Sequence, residues 1–238
     1  MNEILNNIIL VRRRIEAACA RAGRDFGSVR LLLAVKTVDV QRIRLAIEAG
    51  ETLIGENKMQ EFALKNPDLL DLNYEKHFIG HLQTNKAKDI VRHGIDCLQS
   101  LDSVELMQKL DRALLAAGRS LDIMVQVNTS REASKSGLSP DGVADFLRQL
   151  RRYDTLKMKG FMTVGLFDDD TEAVRRSYTR LKMIRDNAIA DGLIAPDSNQ
   201  LSMGMSGDLE TAIEEGATML RIGSAIFGAR IYNQPLNQ

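Results

Sequence analysis

Short apolar runs alternate with amphipathic segments along most of the chain. The runs are rich in Leu, Ile, Val and Met, which is typical of buried β-strands. Between them, apolar residues recur at three- and four-residue steps, as on one face of a helix. Ser103 and Gly118 bracket one such segment as an N-cap and a C-terminal glycine would. The eight predicted strand segments are LLLAV, TLIGEN, KHFIGHL, IDCLQSL, LDIMVQVN, KMKGFMTV, QLSMG and TMLRIGS.

Eight successive strand–helix units predict a (β/α)8 TIM barrel, a fold that usually needs about 250 residues. The chain has 238 residues, without a linker or a shift in composition, so we expect a single domain over residues 1–238. Residues 1–23 form a predicted leading helix, and the barrel is expected to occupy residues 31–230. The alternative is an open doubly wound sheet, but no GxGxxG turn follows the first strand.

Composition excludes several classes of protein. Lys plus Arg and Asp plus Glu number 32 each, and this zero net charge disfavours a nucleic-acid partner. The two cysteines have no disulfide or zinc spacing, and His77 and His81 lie on a strand and its loop, so no metal site is expected. No apolar run is long enough to span a membrane, and we expect a cytoplasmic protein. The run Arg12 to Arg14 points in three directions around its helix and is predicted to be mostly a solvated face.

A lysine at the end of the first apolar run is the first candidate for chemistry. Lys36 follows Val35 and would lie at the carboxyl end of the barrel, where TIM-barrel active sites are built. Burial lowers the pKa of a lysine, and a neutral amine can attack an aldehyde to form a Schiff base. Alternatively, Lys36 extends to solvent or pairs with a carboxylate such as Glu56.

The last two predicted strands are followed by loops suited to phosphate. TIM barrels often bind phosphate with the loops after strands seven and eight. Arg221 lies two residues before the second loop and could donate to a ring nitrogen. A phosphorylated aldehyde is therefore the predicted ligand, either pyridoxal phosphate (PLP) or a sugar phosphate. The candidate phosphate-binding residues are Ser206, Gly207, Gly223 and Ser224.

Together the motifs AVKT, IGEN, HFIGHLQTNK, VNTSREASKSG, LSMGMSGD and RIGSAIFGAR resemble the pyridoxal phosphate homeostasis (YggS/PROSC) family, which is similar to the barrel domain of alanine racemases. The resemblance implies that Lys36 holds PLP as a Schiff base and that Arg221 faces the pyridine nitrogen. It places Asn57 near the cofactor and Lys135 at a secondary PLP site. It also implies a monomer that delivers PLP to apo PLP-dependent enzymes as transient partners. Val35 and His81 depart from the serine and proline usual in the family.

Catalytic turnover is not expected, so no catalytic residue is assigned. A racemase needs a second acid/base, a tyrosine from another domain in that family, and none of the four tyrosines directly follows a predicted strand. We predict a PLP-binding protein for vitamin B6 homeostasis with little or no turnover. The alternatives are a PLP-dependent amino-acid racemase or decarboxylase and a Schiff-base sugar-phosphate aldolase.

Overall fold

The structure, a computed structural model, describes residues 2–130, 132, 135–166, 168 and 170–229. Its strands are β1 (Arg30–Ala34), β2 (Leu53–Glu56), β3 (Glu75–Phe78), β4 (Cys97–Leu101), β5 (Leu121–Gln126), β6 (Leu156–Met162), β7 (Gln200–Ser202) and β8 (Met219–Ile222). Its α-helices are α1 (Asn2–Arg21), α2 (Val40–Glu48), α3 (Met59–Lys65), α4 (Ala87–Arg92), α5 (Val104–Ala117), α6 (Val143–Leu150), α7 (Thr171–Ala190), α8 (Leu209–Glu214) and α9 (Ser224–Phe227).

The eight strands close into one parallel barrel that follows the order of the chain. β8 returns to pair with β1, with Arg30 opposite Met219 and Leu33 opposite Ile222. This confirms the predicted (β/α)8 barrel and excludes the open sheet, which would leave two unpaired edges. The leading helix also exists and ends at Arg21. The predicted end of the barrel, Arg230, lies outside the described residues.

Side chains along β1 alternate between two apolar layers. Leu31 and Leu33 of β1 belong to the large core between the strands and the helices. Leu32 points the other way and packs inside the barrel against Leu53 and Met219. Both faces of the sheet are thus covered, which explains why the strands read as continuous apolar runs.

Local signals fix several helix ends where the sequence predicts them. The Ser103 side chain accepts a hydrogen bond from the Leu106 backbone N–H at 3.3 Å and begins α5. Gly118 ends that helix with φ of 61°, a left-handed conformation that glycine adopts without strain.

In the described part of the chain, no helix combines the length and apolarity needed to cross a membrane.

Candidate functional site

A cavity of about 710 Å³ opens at the carboxyl end of the barrel, where the strand–helix loops meet. Residues from the N-terminal and the C-terminal parts of the chain line its wall and offer backbone and side-chain hydrogen-bond donors. The predicted site residues all line this one cavity: Lys36, Asn57, Lys135, Ser206, Gly207, Arg221, Gly223 and Ser224. Closure of the barrel thus brings together residues that are up to 188 positions apart (224 − 36).

Lys36 reaches the cavity because of the alternation along β1. Leu32 faces the barrel interior and Ala34 lines the cavity, so the same two-residue step carries Lys36 to the inner side just beyond the strand. Its side chain is half-buried. The carboxylate of Glu56, which the sequence offered as a partner, binds Lys65 at 2.7 Å and the Asn57 backbone N–H at 2.8 Å.

The loops after β7 and β8 are joined at the cavity. The Ala225 backbone N–H donates to Ser206 Oγ at 3.2 Å, so the first turn of α9 is tied to the preceding loop. A Cβ on Gly223 would lie 2.9 Å from the Ala34 carbonyl oxygen, and only glycine allows β8 to run this close to β1. No atom lies within 4 Å of the corresponding position on Gly207. The two loops therefore form one wall near the strand that leads to Lys36.

The leading helix braces this wall, a role that the sequence did not reveal. Arg14 donates to the Ser206 carbonyl oxygen at 3.2 Å and forms a two-pronged pair with Glu210 at 2.8 and 2.9 Å. Asn7 donates to the Ile226 carbonyl oxygen at 3.0 Å. Of the run predicted to be mostly solvated, Arg13 is exposed, whereas Arg12 and Arg14 are 38% and 39% exposed and pair with Glu51 and Glu210. A charge pattern along one helix cannot show which residues another element will cover.

Arg221 is buried beneath the cavity, with 6% of its surface exposed. Its guanidinium donates to Ser202 Oγ at 2.8 Å and to the Thr163 carbonyl oxygen at 2.7 Å. Burial lowers the pKa of Arg221, while the nearby Asp208 carboxylate acts in the opposite direction. The two hydrogen bonds fix the plane of the guanidinium at the cavity floor.

The Arg221 contacts continue as a polar network through the barrel interior. Ser202 Oγ donates to Gln99 Oε1 at 2.6 Å, and Gln99 Nε2 donates to His77 Nδ1 at 2.6 Å. The other nitrogen of His77 lies 2.6 Å from Glu75 Oε1, near the opposite end of the barrel. His77 lies on β3, a strand as predicted, and is hydrogen-bonded inside the barrel. Sequence reasoning missed Gln99 and Ser202, which are polar residues within otherwise mostly apolar strand segments.

Asn57 carries an unpaired polar atom at this site. Its side-chain oxygen Oδ1 is buried and has no hydrogen-bond partner among the described residues. Asn57 also lines the cavity, and Gly80 packs so closely that an added Cβ would lie 2.0 Å from the Asn57 carbonyl oxygen. A buried acceptor without a partner is costly, so this atom marks a position where a ligand donor would fit.

Lys135 lines the cavity from the loop after β5. Its Nζ donates to the Gly165 carbonyl oxygen at 2.9 Å and pairs with Glu132 at 3.0 Å. Within the same motif Arg131, Ala133 and Ser134 lie outside the described residues. His81 also lines the cavity and lies 3.7 Å from Asp102. No group of three metal-binding side chains occurs among the residues that the structure describes.

The chain is similar to known proteins over nearly its whole length. Residues 11–231 match the family model described as alanine racemase, N-terminal domain. The pyridoxal phosphate homeostasis protein of Pseudomonas aeruginosa is 38% identical over 235 residues, covering 99% of each chain. That of Aquifex aeolicus is 37% identical over 222 residues, covering 93% of this chain and 96% of its own. The chain belongs to the pyridoxal phosphate homeostasis protein family.

Solved structures place this pyridoxal phosphate homeostasis family member among similar barrels. PipY from Synechococcus elongatus, in a structure with PLP bound, has a TM-score of 0.79 and 29% identity, covering 90% of this chain and 100% of its own. An alanine racemase from Clostridium difficile 630 also has a TM-score of 0.79, at 12% identity. It covers 99% of this chain and 58% of its own, and at that identity the likeness concerns the fold alone.

Proposed function

We propose that this chain binds PLP as a Schiff base on Lys36 and buffers or delivers it, with little or no turnover of amino acids. The observation that carries the proposal is the single cavity shared by Lys36, the two joined loops and Arg221. The printed names of its relatives, and PLP in the structure of PipY, support the same ligand.

The residues present fit PLP on three counts. Ser206 and Ser224 offer hydroxyl groups, and the open space at Gly207 leaves its backbone accessible to a phosphate. Arg221 supplies a fixed donor for the pyridine nitrogen. The unpaired oxygen of Asn57 can accept a hydrogen bond from the ligand. PLP supplies the aldehyde, and Lys36 Nζ would condense with it, forming a C=N bond as water leaves.

Two features support binding without efficient catalysis. An arginine donates to the pyridine nitrogen but retains its own proton, so the nitrogen stays unprotonated and the ring is a weaker electron sink. Among the described residues, no tyrosine lines the cavity, and the Tyr178 hydroxyl donates to Asp208 at 2.7 Å. A second acid/base of the racemase type is therefore not supplied by the described part of this chain.

The remaining parts of the proposal concern setting and partners. We propose a cytoplasmic monomer that meets apo PLP-dependent enzymes transiently and binds no nucleic acid. The zero net charge supports the last point. Lys135 is proposed as a secondary PLP site, supported by its place on the cavity wall. Light scattering of the chain alone tests whether it is a monomer. Light scattering of its mixture with an apo PLP-dependent enzyme tests the encounter.

Borohydride labelling tests the central proposal. The purified chain is incubated with PLP, reduced, digested and analysed by mass spectrometry. We expect the reduced pyridoxyl group on Lys36 and loss of the imine absorbance band in Lys36→Ala. The control Lys109→Ala removes an exposed lysine of α5 that pairs with Glu105, and it should label normally. A chain that takes up no PLP would favour the aldolase, and rapid racemisation of alanine would favour the racemase.

A further inference from the structure

A largely covered ionic cluster lies behind the segment that carries Lys36. It consists of Lys65 at the end of α3 with Glu56 of β2 and Glu61 of α3, and none of the three lines the cavity. Lys65 Nζ lies 2.7 Å from Glu56 Oε2 and 3.2 Å from Glu61 Oε2. Their side chains are 15%, 2% and 22% exposed respectively. The Glu56 carboxylate is therefore buried, and Lys65 and Glu61 are mostly covered.

The cluster binds both peptide units that flank Lys36. Lys65 Nζ donates to the Val35 carbonyl oxygen at 2.9 Å, which belongs to the peptide unit before Lys36. Glu61 Oε2 accepts from the Thr37 backbone N–H at 2.9 Å, which belongs to the peptide unit after it. The direction in which the Lys36 side chain leaves the backbone depends on the orientation of these two units.

The backbone held by the cluster is strained. Thr37 has φ of 62°, and among the described residues it is the one non-glycine residue with a positive φ. A β-branched residue in this region costs about 1–3 kcal/mol and persists only where the surroundings enforce it. The hydrogen bond from Thr37 to Glu61 is such a constraint. Without it, we expect the segment to relax toward ordinary dihedral angles.

The charges of the cluster suit it to hold the peptide units on either side of Lys36. Burial raises the pKa of Glu56, opposed by Lys65. Burial would also raise the pKa of Glu61, but hydrogen bonds from the Thr37 backbone and from Lys65 outweigh it and lower that pKa. Glu61 therefore stays ionised and keeps an acceptor for the strained peptide.

We infer that Lys65 and Glu61 are positioning residues that aim Lys36 at the cofactor by fixing the peptide units on either side of it. The inference rests on the proposed function, because it assigns a role in PLP binding to a cluster outside the cavity. Its structural alternative is that the cluster only attaches α3 to the barrel. In that case its loss would lower stability without a specific effect on the chemistry of Lys36.

Imine formation, followed by stopped-flow absorbance, separates these two roles. Glu61→Met removes the acceptor for Thr37, and Glu61→Gln keeps an amide oxygen at the same place. We expect Glu61→Met to weaken PLP affinity and slow imine formation by about tenfold, the scale of releasing a strained backbone. Glu61→Gln should recover most of the loss. Lys65→Met should resemble Glu61→Met, and if it does not fold, the Glu61 pair alone decides the question.

A matched control is the pair of Arg12 and Glu51, which is bound at 2.7 Å with Glu51 95% covered and away from Lys36. Glu51→Met should lower the melting temperature but leave the rate of imine formation unchanged. Thr37→Gly removes the strain, so Glu61→Met should cost less in the Thr37→Gly background than in the parent.

Three results would overturn the inference. The first is a folded Glu61→Met variant with parental PLP affinity and rate of imine formation, and the second is an equal loss of affinity and rate in Glu51→Met. The third is that Glu61→Met costs as much in the Thr37→Gly background as in the parent. Failure of the proposed function is a different result, because the parent chain itself would then form no reducible adduct on Lys36.

Discussion

Ser202 is a sensitive point in the barrel interior, since one hydroxyl group joins the cavity floor to the rest of the polar network. It is fully buried, accepts from Arg221 Nη1 at 2.8 Å and donates to Gln99 Oε1 at 2.6 Å. Ser202→Ala removes this hydroxyl without introducing steric conflict. A charged donor and a neutral acceptor then remain buried without their partner.

The expected cost follows from these two hydrogen bonds. A hydrogen bond to a charged group contributes about 1.5–3 kcal/mol, and one between neutral groups contributes about 0.5–1.5 kcal/mol. We expect Ser202→Ala to lower the free energy of unfolding by about 2–4 kcal/mol. For a chain of this size each kcal/mol shifts the melting temperature by roughly 2–4 °C. The midpoint should therefore fall by at least about 4 °C.

Ser100→Ala is the matched control, because Ser100 lies in β4 and is equally buried. Its hydroxyl has no hydrogen-bond partner among the described residues. Removing it should change the free energy of unfolding by less than about 0.5 kcal/mol or increase stability. Urea denaturation of both variants and the parent measures the difference. Equal effects of the two substitutions would show that the Ser202 hydrogen bonds do not stabilise the barrel.

Two further predictions concern other contacts near the barrel ends. Hydrogen bonding to His77, opposed by burial and assisted by Arg30, lowers the pKa of Glu75 from 4.5 to about 2. The stabilisation that ionised Glu75 contributes should be complete above pH 4.5 and disappear as the pH falls toward 2. In an acid titration, Glu75→Gln should therefore show a flatter dependence of stability on pH than the parent. An unchanged dependence would contradict this. Gly80→Ala should displace Asn57, cost at least about 1 kcal/mol and weaken PLP binding, as measured by thermal unfolding and PLP titration. Gly142→Ala, with its nearest contact at 3.3 Å, is the control.

The sequence was sufficient for the barrel because its signals are local. Each apolar run and each amphipathic segment reports its own element, and eight repeats of the pattern leave few ways to bury both faces of every strand. The position of Lys36 was predictable for the same reason. It follows a buried strand directly, and chain direction alone places it at the carboxyl end.

The contacts behind the site could not be predicted in this way. Lys65 ends a short amphipathic helix, and nothing in its neighbourhood shows that its Nζ reaches the Val35 carbonyl oxygen. Arg14 is similar, since a solvent-facing run of arginines and a brace for a distant loop have the same local pattern. Both contacts join elements that are far apart in the sequence. In each, an acceptor is a backbone carbonyl oxygen, which any residue would provide.

Sequence alone therefore determined the order and type of the elements, the end of the barrel at which Lys36 lies and the cavity residues named above. Tertiary structure alone decided which polar groups inside the barrel meet, as Arg221, Ser202 and Gln99 do, and which peptide units around Lys36 are held. The physical reason is that strand periodicity depends on neighbours along the chain. A buried hydrogen bond instead depends on the relative rotation and register of strands, which only the closed barrel fixes.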